Sequence, residues 1–331
     1  VAIHEEVANA FHAAPQSHRG AAFEEELRAL RAGLCALANA SHVEILLGSG
    51  TLANDAVAAQ LSRLGGRGLV VSNGEFGERL VDHASRARLD FDQLRFDWGE
   101  PIDLAAIESA NRDWLWMVAC ETSTGVLNDV AAIAEICRAR GTKLCLDAVS
   151  ALGAVPLDLS EVWLASCASG KALASYPGLS MVFHREPVAP SDSLPRYLDL
   201  GLYARDGAPF TQSSNLVRAL RVAIERVAWP KRYRQIVTSG AWLRGRLRAA
   251  GFTLVGDRAT PAPHVATIEL PPHVRSDDVA CALERAGFLV SWASGYLRAR
   301  NWIQVCLMGE IARDALPALL RELTRHAPVT P

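Results

Sequence analysis

Lys171 stands alone among small residues in Ala168-Ser169-Gly170-Lys171-Ala172-Leu173, just past the apolar run Val162–Cys167, which predicts a strand. An amine held among Ala, Gly and Leu suits covalent chemistry, because partial burial lowers its pKa and the free amine can form an imine. Asp147 closes the preceding apolar strand, Lys143–Leu146, where a carboxylate fits a protonated aromatic nitrogen. Further back, Gly48-Ser49-Gly50-Thr51 joins a short apolar run to an alanine-rich helix. Its backbone amides and the Thr51 hydroxyl could hold a phosphate at the helix N-terminus. Phe76, in Asn73-Gly74-Glu75-Phe76-Gly77, could stack on a flat ring.

Each feature also has an ordinary reading. The glycine loop suits a tight turn with Thr51 as N-cap, and it is neither a Walker A loop nor a G-x-G-x-x-G fingerprint. Asp147 could cap the next turn, Phe76 could be plain core, and most lysines are simply solvated. Their joint order favours the functional reading: phosphate loop, aromatic, carboxylate and lysine follow one another on successive strand ends. That order points to pyridoxal phosphate, held by Lys171 as an imine.

The elements that must position these residues can be read from the apolar spacing. Strands are expected at 44–47, 68–72, 89–96, 114–120, 143–147, 162–167 and 179–183, with helices between most of them. Such alternation implies an α/β fold with a mainly parallel seven-stranded sheet covered on both faces. Residues 4–14 predict a helix, and Phe23, Leu27, Leu30, Leu34 and Leu37 recur at helical spacing. Residues 186–213 read as a connecting loop. A long helix follows from Asn215, with Pro230 as its kink or break. Short strands at 253–255, 265–270, 289–292 and 302–307 with two helices predict a smaller C-terminal α+β domain. The expected division is 17–230 and 231–331, with 1–16 packing on the latter.

With 331 residues, half of them apolar, the chain can bury a sizeable core and build two domains. A net charge of −2 gives no electrostatic reason to expect nucleic acid or an anionic membrane. No run of 18 apolar residues predicts a membrane span. Seven scattered cysteines without a C-x-x-C pair suit buried thiols in a reducing compartment better than disulfides or a metal site. Val1–Glu6 lacks the basic-then-apolar pattern of a secretory signal, so a cytoplasmic location is expected.

Five ordered motifs carry a family resemblance: Gly48–Thr51, Asn73–Arg79, Glu121-Thr-Ser-Thr-Gly-Val126, Asp147-Ala-Val-Ser150 and Ser169–Leu173. Together they resemble the class V aminotransferases of pyridoxal phosphate fold type I, nearest to 2-aminoethylphosphonate–pyruvate and alanine/serine–glyoxylate aminotransferases. The resemblance implies an aminotransferase that moves an amino group from a small donor to pyruvate or glyoxylate by a ping-pong route. It makes Lys171 the Schiff-base lysine and proton shuttle, Asp147 the partner of the pyridine nitrogen, and Val149 the lining of one ring face. Phe76 would stack on the ring and Thr122 would approach the cofactor hydroxyl. Ser49, Gly50 and Thr51 would surround the phosphate. Members are homodimers, so Thr211 would reach the phosphate in a second copy.

Two residues depart from the family pattern. Gly170 stands where a polar Gln or Asn often precedes the lysine. Gln304 stands where an arginine grips the substrate carboxylate, and a glutamine lacks that charged, bidentate fork. Arg298 and Arg300 are close enough in sequence to take over, or are simply solvated. A superfamily lyase such as a cysteine desulfurase, and a cofactor-binding protein with degenerate catalysis, are the alternatives.

Overall fold

The computed structural model describes residues 1–310 and 313–329. Its main sheet contains β1 (His42–Gly48), β2 (Gly68–Ser72), β3 (Phe91–Arg95) and β4 (Trp114–Val118). After the small hairpin β5 (Cys120–Glu121) and β6 (Val126–Leu127), it is completed by β7 (Lys143–Asp147), β8 (Leu164–Ala168) and β9 (Gly178–His184). The spatial order is β1-β9-β8-β7-β4-β2-β3. Pairing is parallel from β8 through to β3, while β9 runs antiparallel to both of its neighbours. This is the expected seven-stranded, mainly parallel sheet.

Unbroken apolar strands follow from cover on both faces. Every residue of β4, Trp-Leu-Trp-Met-Val, is buried. Against one face pack α2 (Ala21–Ala38), α5 (Leu104–Ala110), α6 (Val130–Arg140) and α8 (Ser214–Glu225). The stripe Phe23, Leu27, Leu30, Leu34 and Ala38 is the buried side of α2, and Asn39 ends that helix in a left-handed conformation. Against the other face pack α3 (Gly50–Leu64), α4 (Glu75–Arg86) and α7 (Leu200–Asp206). The helix α1 (Glu5–His12) lies on α8 through Val7, Ala219 and Ala223, while Ala2 bridges to Gly309.

The C-terminal sheet is antiparallel, with β10 (Thr253–Leu254), β11 (Val265–Glu269) and β12 (Trp302–Cys306) in that order. It shares an apolar core with α9 (Trp229–Ala249), α10 (Ser276–Arg285) and α12 (Leu316–His326). Buried Arg244 of α9 donates to the carbonyls of Val265 and Ala262, and to Gly125 just before β6. That one side chain ties the C-terminal sheet to the loop between β5 and β6.

Two local expectations change. The stretch 289–292 is not a strand: Ser291 and Gln304 exchange a single bridge, and Leu289 is 86% exposed. Only the Ser291 amide and carbonyl pair with Gln304, and the chain then leaves the sheet for α11 (Gly295–Arg300). Pro230 marks the expected break: α8 ends at Glu225 and Pro230 lies in the first turn of α9, which suits a residue without an N–H to donate. The segment 186–213 contains α7, whose first turn is capped by the Asp199 carboxylate accepting from the Gly201 amide. Cys120, Cys145 and Cys167 are buried, as their apolar surroundings suggested. No helix among the described residues is long and apolar enough to cross a membrane.

Gly68 sits opposite Trp114 across the β2–β4 ladder, and a Cβ there would lie 2.0 Å from the indole ring. Gly68→Ala is expected to cost about 1–3 kcal/mol by overpacking and to lower the thermal midpoint. Gly245→Ala, in α9 with open space around it, is expected to raise the midpoint. Equal midpoints for the two variants would contradict this packing.

Candidate active site

The carboxyl ends of β1, β2, β7 and β8 meet at one edge of the main sheet, where ligands bind in open α/β folds. From β1 the chain turns through Gly48 and Ser49 into α3. Ser49 is the N-cap residue but its side chain makes no cap hydrogen bond, and the first helical bond runs from the Ala53 amide to the Ser49 carbonyl. Ser49 and Thr51 are exposed, so the N-terminus of α3 presents its amides and both hydroxyls outward. Gly50 lies against the turn after β7: a Cβ would come 2.8 Å from a methyl of Val149. The absent side chain lets the loop and Val149 close up to each other.

Asp147 ends β7, with its carboxylate buried. One oxygen accepts from Asn54 Nδ2 at 2.9 Å and the other from the Val149 amide at 2.9 Å. Asn54 is itself held by the Ser166 hydroxyl, so β8, α3 and β7 all fix this one carboxylate. Burial pushes the Asp147 pKa up, opposed by those two hydrogen bonds and by the charges of His83 and Lys171. Sequence reasoning missed Asn54, although a polar residue on the buried, alanine-rich face of α3 is a legible signal.

Lys171 follows β8 and is exposed, not partly buried as its small neighbours suggested. It makes no hydrogen bond or ion pair to a described residue, and its charge acts on Asp147. Ala172 beside it packs with Ala154, Val265 and Met308, which brings the chain just beyond β12 up to the lysine.

Phe76 lies in the first turn of α4. The buried Glu121 carboxylate accepts from the Phe76 and Gly77 amides at 3.0 and 2.9 Å and from the Ser123 amide at 3.0 Å. A carboxylate at the positive end of a helix fixes where that ring stands. Glu121 belonged to a recognised motif, yet its tie to α4 exists only in the folded chain. Tyr296 meets the Phe76 ring edge-on at 6.3 Å, and Trp98 lies 6.2 Å from Tyr296.

Thr122 is buried, and its carbonyl accepts from Gln304 Nε2. The same amide nitrogen lies 3.1 Å from the Ser123 carbonyl and 2.8 Å from Thr267 Oγ1. Gln304 Oε1 in turn accepts from the Tyr296 hydroxyl at 3.3 Å. The two neighbouring arginines are engaged elsewhere. Arg298 lies over Trp292 and 3.8 Å from Asp277, while Arg300 stacks 3.6 Å above Trp98. Thr211 is exposed on its own loop before α8.

The raised pKa of Asp147 has a stability consequence in the cofactor-free protein. An Asp whose pKa is higher folded than unfolded stabilises fully below its ordinary value, and that contribution fades as pH rises through the folded value. The thermal midpoint of Asp147→Asn, relative to the parent, is therefore expected to climb as pH goes from about 4 to about 8. A difference that stays flat or falls over this range would contradict it.

Comparisons with known proteins agree with this arrangement. The Aminotransferase class-V family model matches residues 2–192. A relative named 2-aminoethylphosphonate–pyruvate transaminase, from Paraburkholderia phymatum, is 31% identical over 306 residues, covering 85% of this chain and 82% of its own. The solved aspartate aminotransferase of subgroup IV from Thermus thermophilus superposes with a TM-score of 0.89 at 27% identity, covering 98% of this chain and 97% of that one. Alanine–glyoxylate aminotransferase from Nostoc sp. gives 0.88 at 27% identity, with 98% and 92% covered. With more than half of its length matched by the family model and its strand ends carrying the ordered motifs, the chain belongs to the class V aminotransferases.

Proposed function

We propose that this chain transfers an amino group from a small amino donor to a 2-oxo acid, pyruvate or glyoxylate, with pyridoxal phosphate held by Lys171. The observation that carries the reading is the Asp147 carboxylate, buried with two neutral donors and without a bonded cation. A protonated pyridine nitrogen would supply that missing cation. The rest of the donor set fits the same group: the uncapped N-terminus of α3 with Ser49, Gly50 and Thr51 suits its phosphate. Val149 and Phe76 would line the two faces of the ring, and Thr122 would approach its hydroxyl. When bound, the cofactor supplies an electron sink for the carbanion formed at the substrate Cα.

In this reading Lys171 would hold the cofactor covalently, and its amine, once free, would take the proton from the substrate Cα as base and give it back as acid. Asp147 keeps the pyridine nitrogen protonated, and Asn54 with Ser166 holds that carboxylate in line. Glu121 sets the height of Phe76 by gripping the first turn of α4. The second half-reaction runs the same proton transfers in reverse on the 2-oxo acid.

Two copies are proposed to form the working unit, Thr211 of each completing the phosphate site of the other; its exposure on a loop supports this. A cytoplasmic location is proposed from the buried free thiols. Cysteine desulfurase chemistry is disfavoured by Phe76 and Gly170, since such lyases generally carry histidines at both places.

Lys171→Ala is expected to abolish borohydride-fixed cofactor at residue 171 and to lower turnover by about 10²–10⁴-fold. Retention of full turnover by that variant would overturn the reading.

A further inference from the structure

The wall of groups that α11 and β12 turn toward Thr122 is neutral. Gln304 contributes an amide whose nitrogen is committed to Thr122, Ser123 and Thr267, and Tyr296 contributes a phenol. The three arginines around it are held on aromatic rings, and two of them also lie beside carboxylates. Arg300 lies on Trp98, Arg298 lies over Trp292, and Arg79 lies over Phe76 at 4.9 Å while pairing with Glu75 at 3.0 Å. Cys306, two residues past Gln304, is within electrostatic reach of Lys171, and Met308 packs beside Ala172. The strand that bears Gln304 therefore borders the reacting amine. Phe76, Tyr296 and Trp98 form a continuous aromatic surface next to it.

A carboxylate pressed against this wall would lose water and find no free donor, since the Tyr296 hydroxyl already donates to Gln304 Oε1. Burying a charge without a charged or multiple hydrogen-bonding partner is costly. A hydrogen or alkyl group in the same position carries no such penalty, and an aromatic substituent gains contact with the rings. Resting on the aminotransferase reading above, we propose that the preferred amino donor is a primary amine with no carboxylate on the carbon that bears the nitrogen, and with an apolar or aromatic substituent. The carboxylate of the 2-oxo acid meets the same wall in the second half-reaction, so the acceptor is held weakly.

The test uses the full chain loaded with pyridoxal phosphate, its attachment at Lys171 first checked by borohydride reduction and mass spectrometry. Single-turnover conversion to the aminated cofactor is then followed by absorbance with two matched pairs: 2-phenylethylamine against L-phenylalanine, and n-propylamine against L-2-aminobutyrate. The amine of each pair is expected to be converted about tenfold or more faster than its amino acid at subsaturating concentration, the size set by an unpaired buried charge. Gln304→Arg is expected to shrink or invert that ratio and to lower the KM for pyruvate. Tyr296→Phe, which keeps the ring and leaves Gln304 Oε1 without its donor, is expected to keep the amine preference. Equal rates, or a faster amino acid, would overturn the neutral-wall inference and leave the aminotransferase reading standing. Attachment at Lys171 without conversion of any of the four would overturn both.

Discussion

A carboxylate buried at the end of a central strand, without a cation bonded to it, is the constraint on which the rest depends. Asp147 is costly to keep ionised there, as the upward pull of burial on its pKa shows. Three elements are spent on holding it: α3 through Asn54, β8 through Ser166, and the turn after β7 through the Val149 amide. A protein tolerates such a group where function needs it, at the expense of stability elsewhere. The same turn lets Gly50 approach Val149, so the carboxylate and the bare N-terminus of α3 come as one unit.

A second buried carboxylate links the two halves of the site. Its carboxylate, on Glu121, takes the amides at the start of α4 and the Ser123 amide of its own turn, while Gln304 and Arg244 grip that turn from the C-terminal elements. The position of Phe76 thus depends on a chain of hydrogen bonds that starts on β12. In the proposed reading, Gln304 acts as a strut that seats the loop, and its neutral amide sets the character of the substrate wall. The two roles follow from one side chain.

Much of this was legible in the sequence because the signals are local. Asp147 and Lys171 mark the ends of apolar strands, and a parallel sheet gathers such ends at one edge. Glycine at position 50 and the alanine-rich start of α3 announce a close-packed helix N-terminus. What stayed hidden depends on long-range partners. Nothing near Glu121 in sequence points to α4, and nothing near Arg300 reveals that Trp98 lies beneath it. Lys171 is exposed among small neighbours because short side chains leave the amine room without covering it. The stretch 289–292 reads as a strand by composition, yet only Ser291 finds a partner, in Gln304.

The central claim is that Asp147 exists to hold a protonated pyridine nitrogen. Nitrogen-15 NMR of the chain loaded with ring-labelled pyridoxal phosphate reads that proton directly. The account predicts a protonated ring nitrogen throughout the neutral to mildly alkaline range in the parent, and an unprotonated one in Asp147→Asn. An unprotonated ring nitrogen in the parent at neutral pH would contradict it.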